Sequence, residues 1–140
     1  MADQSSHITE YIQQRPPFVM VDKLLSAENG RFESTFQILS DNILVEQKTL
    51  TVYGLIENIA QTASAGLHAS MIRLAKTTGG TGVLGGVSKL SVKNIPPVGS
   101  NIRTTVRIIT ELGKMIKIHG STYLNKECLM ECEMSIVVVN

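Results

Sequence analysis

Glu57 is the residue around which chemistry can be built. Between Lys48 and Arg73 it is the only formally charged side chain, and Gln61 follows one helical turn later. A carboxyl group in such a segment works as a general acid or a general base, one role at a time, and an amide at i+4 is placed to hold it. The same pattern also fits a structural role, in which Glu57 meets Asn58, Gln61 or a partner chain. A second acid–base group is harder to find. His68 lies on nearly the same helical face as Glu57 but roughly 16 Å further along the axis at ~1.5 Å per residue. His119 sits in a strand pattern beside Lys117 and reads as a sheet-face residue, and His7 falls in a polar opening segment.

The two cysteines, Cys128 and Cys132, fall in one strand pattern. Strand geometry puts them on the same face, roughly 13 Å apart at ~3.3 Å per residue, too far to bridge each other. They read as small buried hydrophobes, with an intermolecular disulfide or a metal role as the alternatives, and a reducing cytoplasm is the expected compartment. The sequence carries no glycine-rich phosphate loop, no Cys/His metal spacing and no nucleophile elbow, so neither a cofactor nor a metal is expected.

Composition bounds the rest. The chain has 140 residues, 43% hydrophobic and 18% charged, which suits a single domain, 1–140, with only about the first seven residues too small and polar to be ordered. Thirteen basic residues against twelve acidic ones, no long basic run and no tryptophan argue against nucleic-acid binding. The opening Met1–Glu10 lacks a basic start and an apolar stretch, so it does not read as a secretory signal.

The elements that would position Glu57 follow from the hydrophobic period. Ser6 to Gln14 reads as a short helix stopped by Pro16-Pro17. Phe18 to Leu25 and Arg31 to Leu39 read as a hairpin turning at Glu28-Asn29-Gly30, with Phe32, Ser34, Phe36 and Ile38 on one face. The period then becomes helical from Thr49 to about Ala75, with Gly79-Gly80 as the stop. Its second half is crowded with Ala60, Ala63, Ser64, Ala65, Gly66, Ala69 and Ser70, which suits a helix enclosed by a sheet. A membrane span is the competing reading of this segment, but Glu57, Asn58, Gln61 and His68 would be costly in lipid, so no span is expected.

Four more strand patterns follow, over Val83–Val92, Ile102–Ile109, Met115–Leu124 and Cys128–Val139. In the last, Cys128, Met130, Cys132, Met134, Ile136 and Val138 share one face. Hairpin, long helix and four strands make an α+β domain in which a curved antiparallel sheet of about six strands covers one central helix, a hotdog fold.

Three segments carry a family resemblance, in order along the chain. Arg15-Pro16-Pro17-Phe18-Val19-Met20-Val21-Asp22-Lys23 resembles the opening of the 3-hydroxyacyl-acyl-carrier-protein dehydratases. Leu55-Ile56-Glu57-Asn58-Ile59-Ala60-Gln61 is similar to their central-helix signature, a catalytic acidic residue followed four positions later by Gln. Lys93-Asn94-Ile95-Pro96-Pro97-Val98-Gly99-Ser100-Asn101-Ile102 resembles their Pro-x-x-Pro-Gly-Asp segment between strands, with Val98 for Pro and Ser100 for Asp.

The resemblance implies elimination of water from a 3-hydroxyacyl thioester carried on acyl carrier protein or CoA, with Glu57 catalytic and Gln61 beside it. It also implies a homodimer, or a heterodimer with a related hotdog subunit, whose sheets join edge to edge around an acyl tunnel. The family's active-site histidine has no counterpart here. The corresponding stretch is Asp41-Asn42-Ile43-Leu44-Val45-Glu46, where Asn42 offers a polar group for water or the thioester. Val52 stands where the family places a glycine whose amide polarises the thioester carbonyl, a role that needs only an N–H. Two alternatives remain on this reading: a non-catalytic subunit of a dehydratase heterodimer, or a thioesterase using Glu57. Lys89, Lys93, Arg103 and Arg107 would make either a basic rim for an acidic carrier protein or an ordinary solvated strand face.

Overall fold

The computed structural model describes residues 7–73 and 81–139. One helix, α1 (Val52–Arg73), lies against a six-stranded sheet built from β1 (Lys23–Glu28), β2 (Arg31–Gln37), β5 (Thr81–Val92), β6 (Asn101–Leu112), β7 (Met115–Leu124) and β8 (Glu127–Val139). The strand order is β1-β2-β6-β7-β8-β5, antiparallel throughout. A second, two-stranded sheet of β3 (Val45–Glu46) and β4 (Thr49–Leu50) precedes the helix. This is the enclosed-helix α+β arrangement expected from the period changes.

Local chemistry sets the turns. Asn29 and Gly30 both take positive φ, 56° and 71°, the two-residue geometry whose twist matches paired strands. Gln47 and Lys48 do the same between β3 and β4, at 51° and 67°.

The core forms where the inward faces of the strands meet α1. Phe32, Ile38, Leu55, Ile59, Ile118, Met130 and Met134 are all fully buried. Residues Gln61 to Leu67 are buried without interruption, so this part of the helix is covered on every side. Two glycines make that possible. A Cβ on Gly66 would collide with the Phe32 ring, and one on Gly120 would collide with Ile59, so strand and helix approach more closely than any larger residue permits.

Four sequence expectations are corrected. The opening segment forms only a 3₁₀ turn, Ile8–Glu10, capped by His7, because the Arg15 guanidinium takes the carbonyls of Ile12, Gln13 and Gln14. The first strand begins at Lys23 rather than Phe18. The Met20 N–H and C=O are taken instead by helix side chains, which removes that stretch from the ladder. Thr49 and Leu50 pair as β4, and Thr51 caps the helix, its hydroxyl accepting from Gly54 N at 3.4 Å.

Where β8 pairs with β7 the register shifts between Thr122 and Tyr123 of β7, leaving Leu129 of β8 unpaired, and Leu129 and Met130 are buried in succession. That bulge turns Cys128 away from the face of Cys132, and its Sγ lies 4.0 Å from Glu131 Oε2. The expected helix stop at Gly79-Gly80 lies outside the described residues, as does most of the opening tail.

Candidate active site

Glu57 lies in the first half of α1, half-buried, on a groove of about 640 Å³. Phe18, Met20, Leu44, Tyr53, Ile56 and Leu84 supply most of the lining, with Gln14 at the edge. The groove is mainly apolar around one carboxylate, the surroundings in which fixed polar groups act most strongly.

Gln61 holds the carboxylate. Its Nε2 donates to Glu57 Oε2 at 3.1 Å and to the Phe18 carbonyl at 2.9 Å, while its Oε1 accepts from Met20 N at 2.7 Å. Asn58 completes the clamp by donating from Nδ2 to the Met20 carbonyl at 2.7 Å. Both polar groups of the Met20 backbone are therefore held by the helix.

Behind this clamp runs a buried polar chain. Asn58 Oδ1 accepts from the Thr104 hydroxyl, Thr104 meets Thr122 at 2.9 Å, and Thr62 bonds Asn58 O and the Ser34 hydroxyl, each at 2.7 Å. Each of these side chains is essentially inaccessible to water, so the network fixes α1 against β2, β6 and β7 in one register. Sequence reasoning offers Asn58 as a polar group costly in lipid and as a possible contact of Glu57, not as the centre of a buried network. Its partners are 38 and 46 residues away and leave no local signal.

Val52 is the first residue of α1, about 7.5 Å along the axis from Glu57 at ~1.5 Å per residue. Among the described residues no group accepts from its N–H, as expected for the first turn of a helix. Asn42 is drawn away from the groove. Its Oδ1 accepts from Leu44 N at 2.8 Å and its Nδ2 points to Met20 Sδ at 3.4 Å, so it shapes the loop instead of facing Glu57.

The structure thus brings Glu57 and Gln61 together, leaves Val52 at the helix start, and places Asn42 behind Met20. Tyr53, one turn before Glu57 and on its face, joins the groove and is strongly exposed. The i, i+4, i+8 spacing of Tyr53, Glu57 and Gln61 would have revealed it.

None of the three histidines lines this groove. His68 packs edge-on against Tyr11 with ring centroids 6.3 Å apart, and His119 pairs with Glu131 at 3.3 Å. Of the basic residues, Arg103 bonds Glu33 at 2.9 Å, Lys89 bonds Glu133 at 3.5 Å, and Arg107 shares a small polar pocket with His119 and Glu131. Among the described residues no cluster of His, Cys, Asp and Glu is arranged to hold a metal ion, and no helix is long and apolar enough to cross a membrane.

The ApeP-like family profile, described as ApeP dehydratase, matches residues 6–140. This chain belongs to that family. It is also homologous to 3-hydroxyacyl-[acyl-carrier-protein] dehydratases. The FabZ of Pelotomaculum thermopropionicum is 26% identical over 139 residues, covering 95% of this chain and 96% of the relative. That of Oceanobacillus iheyensis is 25% identical over 137 residues, covering 94% and 95%. In three dimensions the ApeP-like chain superposes on the dehydratase heterocomplex ApeI:P from Xenorhabdus doucetiae with a TM-score of 0.87. At 14% identity over 96% of this chain and 92% of that one, the match establishes the hotdog fold. A thioesterase-like protein with coenzyme A from Streptococcus pneumoniae shares the fold at a TM-score of 0.67 and 8% identity, over 84% and 85% of the two chains.

Proposed function

We propose that this chain takes part in eliminating water from a 3-hydroxyacyl thioester, with Glu57 as the acid–base group. The observation that carries the reading is a single carboxylate, fixed by Gln61 on an apolar groove, in a chain of the ApeP-like dehydratase family. Dehydration removes a proton beside the thioester carbonyl and protonates the departing hydroxyl, while an N–H donor steadies the enolate oxygen. Glu57 serves one proton transfer at a time. The unengaged N–H of Val52 is suited to the oxygen, and the Tyr53 hydroxyl is a second proton-bearing group of the groove.

A second reading assigns the chain to a heterodimer. Among the described residues, it is motivated by the absence of a histidine from the groove lining and by edge strand β5, which pairs only with β8 and exposes Val83, Val87, Leu90 and Val92. An exposed apolar edge is a template for another chain, so a related hotdog subunit pairing here would close the groove and bring its own acid–base group. We place the pair in a reducing cytoplasm, where Cys128 and Cys132 remain free thiols, acting on acyl groups of a carrier protein or CoA.

Turnover of 3-hydroxyacyl-carrier and 3-hydroxyacyl-CoA substrates, with and without a catalytically complete hotdog partner, tests both readings. Enoyl product from this chain alone, reduced about 10²- to 10⁴-fold in Glu57→Gln, supports the enzyme. Product only in the mixture, indifferent to Glu57→Gln, assigns a subunit role. Free thiol without enoyl product would instead make the chain a thioesterase.

A further inference from the structure

The face of the sheet turned away from α1 carries a polar site of its own. Along β6 the residues alternate, with Thr104 and Val106 buried toward the helix and Arg103, Thr105 and Arg107 on the outer side. Register sets the neighbours of this outer set. Arg107 lies directly between Arg31 of β2 and His119 of β7, and Thr105 lies between Glu33 of β2 and Ser121 of β7, with Glu131 of β8 beyond. Short side chains in the second row, with long ones around them, leave an open depression of about 380 Å³. Thr105 and Ser121 form its floor, with Arg31, Arg107 and His119 along one side and Tyr123 and Glu131 along the others.

The polar groups of this depression are unevenly matched. Glu33 gives one carboxylate oxygen to Arg31 at 3.2 Å and the other to Arg103 at 2.9 Å. Glu131 is held by His119 at 3.3 Å, and Glu133 by Lys117 and Lys89 at 3.3 and 3.5 Å. Among the described residues Arg107 has neither an ion pair nor a side-chain hydrogen bond, although the Arg31 position stands directly opposite it. Like charges so placed repel unless an anion lies between them. The hydroxyls of Thr105, Ser121 and Tyr123 also have no hydrogen-bond partner among the described residues, and Ser121 is only 8% exposed.

We propose that this depression binds a phosphoryl group, either as free phosphate or as the anionic end of a small phosphate monoester. The occupant follows from the donors. Two guanidinium groups and three hydroxyls line one space, more than the two oxygens of a carboxylate can use. A tetrahedral phosphoryl group presents three acceptor oxygens in different directions, and its charge of about −1.5 to −2 near neutral pH offsets the repulsion between Arg31 and Arg107. Glu131, the one carboxylate of the lining, only accepts hydrogen bonds, so the anionic end of a ligand is directed to the arginines. Thr105 and Ser121 lie across the sheet from Thr104 and Thr122, which face α1, so this site is separate from the Glu57 groove and requires nothing of the acyl-thioester reading.

The test titrates the intact, isotope-labelled chain with inorganic phosphate, glycerol 3-phosphate, acetate and chloride at matched ionic strength, following backbone amide shifts. The expected result is saturable shifts centred on Thr105, Arg107, Ser121 and Tyr123 with both phosphates and with neither acetate nor chloride. Tighter binding of glycerol 3-phosphate assigns the site to a phosphate ester and tighter binding of inorganic phosphate to the free ion, and both support it. Arg107→Gln should weaken phosphate binding at least about tenfold, Arg107→Lys should restore only part of the loss because it lacks the planar fork, and Glu131→Gln should tighten binding. Amide shifts away from the depression report that each variant keeps its fold. Acetate binding as tightly as phosphate, as the carboxylates of a protein partner would, overturns the phosphoryl assignment. Shifts that rise without saturation in every salt, or that persist unchanged in Arg107→Gln, overturn the site.

Discussion

Gln61 and Glu57 are joined by one hydrogen bond, Nε2 to Oε2 at 3.1 Å, and the same Gln61 amide ties Phe18 and Met20 to the helix. The carboxylate and the wall of its groove are therefore one mechanical unit, and disturbing the amide disturbs both.

Replacement of Gln61 by Leu leaves the buried Met20 N–H without an acceptor and frees Glu57 to rotate. An unsatisfied buried group costs about 1–3 kcal/mol, so chemical denaturation of Gln61→Leu should show a loss of that size. Gln61→Glu keeps an acceptor for Met20 N but sets two carboxyl groups one turn apart. It should recover part of the stability and none of the enoyl-forming activity.

Gly66 should tolerate no side chain. Gly66→Ala places a methyl group inside the van der Waals envelope of the Phe32 ring, and overpacking of this kind costs about 1–3 kcal/mol. Combining it with Phe32→Leu makes room for the methyl group, so the double variant should be more stable than the sum of the two single losses predicts. A thermal-melt double-mutant cycle reads this directly.

The two thiols should differ sharply in reactivity. Burial, with a smaller contribution from the charge of Glu133, pushes Cys132 up from 9.0 to about 11, and its side chain is almost wholly enclosed. At pH 8 the Cys132 thiolate is then on the order of one part in a thousand, whereas Cys128 is only half-buried on the opposite face. Mass spectrometry after brief alkylation of the native protein should find Cys128 modified first and Cys132 only after unfolding.

Acid should weaken the outer face of the sheet through Glu133. Desolvation pushes its carboxyl up, but hydrogen bonds and charge from Lys117 and Lys89 outweigh this and hold it below the ordinary value of 4.5. A carboxylate so depressed adds stability above pH 4.5, and that contribution disappears as pH falls through the lower folded-state value. Glu133→Gln should therefore be slightly less stable at neutral pH and show a shallower loss of stability below pH 4.5 than the wild type.

The hairpin turn at Asn29-Gly30, the extent of the late strands and the existence of one enclosed helix were legible because each depends on short-range pattern. Period two marks half-buried strands, and small residues on every side of a helix mark a helix covered on every side. The same logic misplaced Phe18–Val21. That stretch is as apolar as a strand, yet its backbone partners are the side chains of Gln61 and Asn58, which no local pattern announces. It likewise put Cys128 beside Cys132, because a bulge at Leu129 shifts the alternation by one residue while leaving the composition unchanged.

For the site, the sequence by itself determined which group can do chemistry: Glu57 is the lone carboxylate of its helix, and the four-residue interval to Gln61 puts the two on one face wherever that helix lies. Only the tertiary structure decided what surrounds them. It turned Asn42 away to Met20, brought Tyr53 into the groove, and ran a buried hydroxyl chain from Asn58 to Thr122. The physical reason is range: the Glu57–Gln61 contact spans one helical turn, whereas the contacts that make its surroundings join residues about 20 to 46 positions apart and exist only once the sheet has closed around the helix.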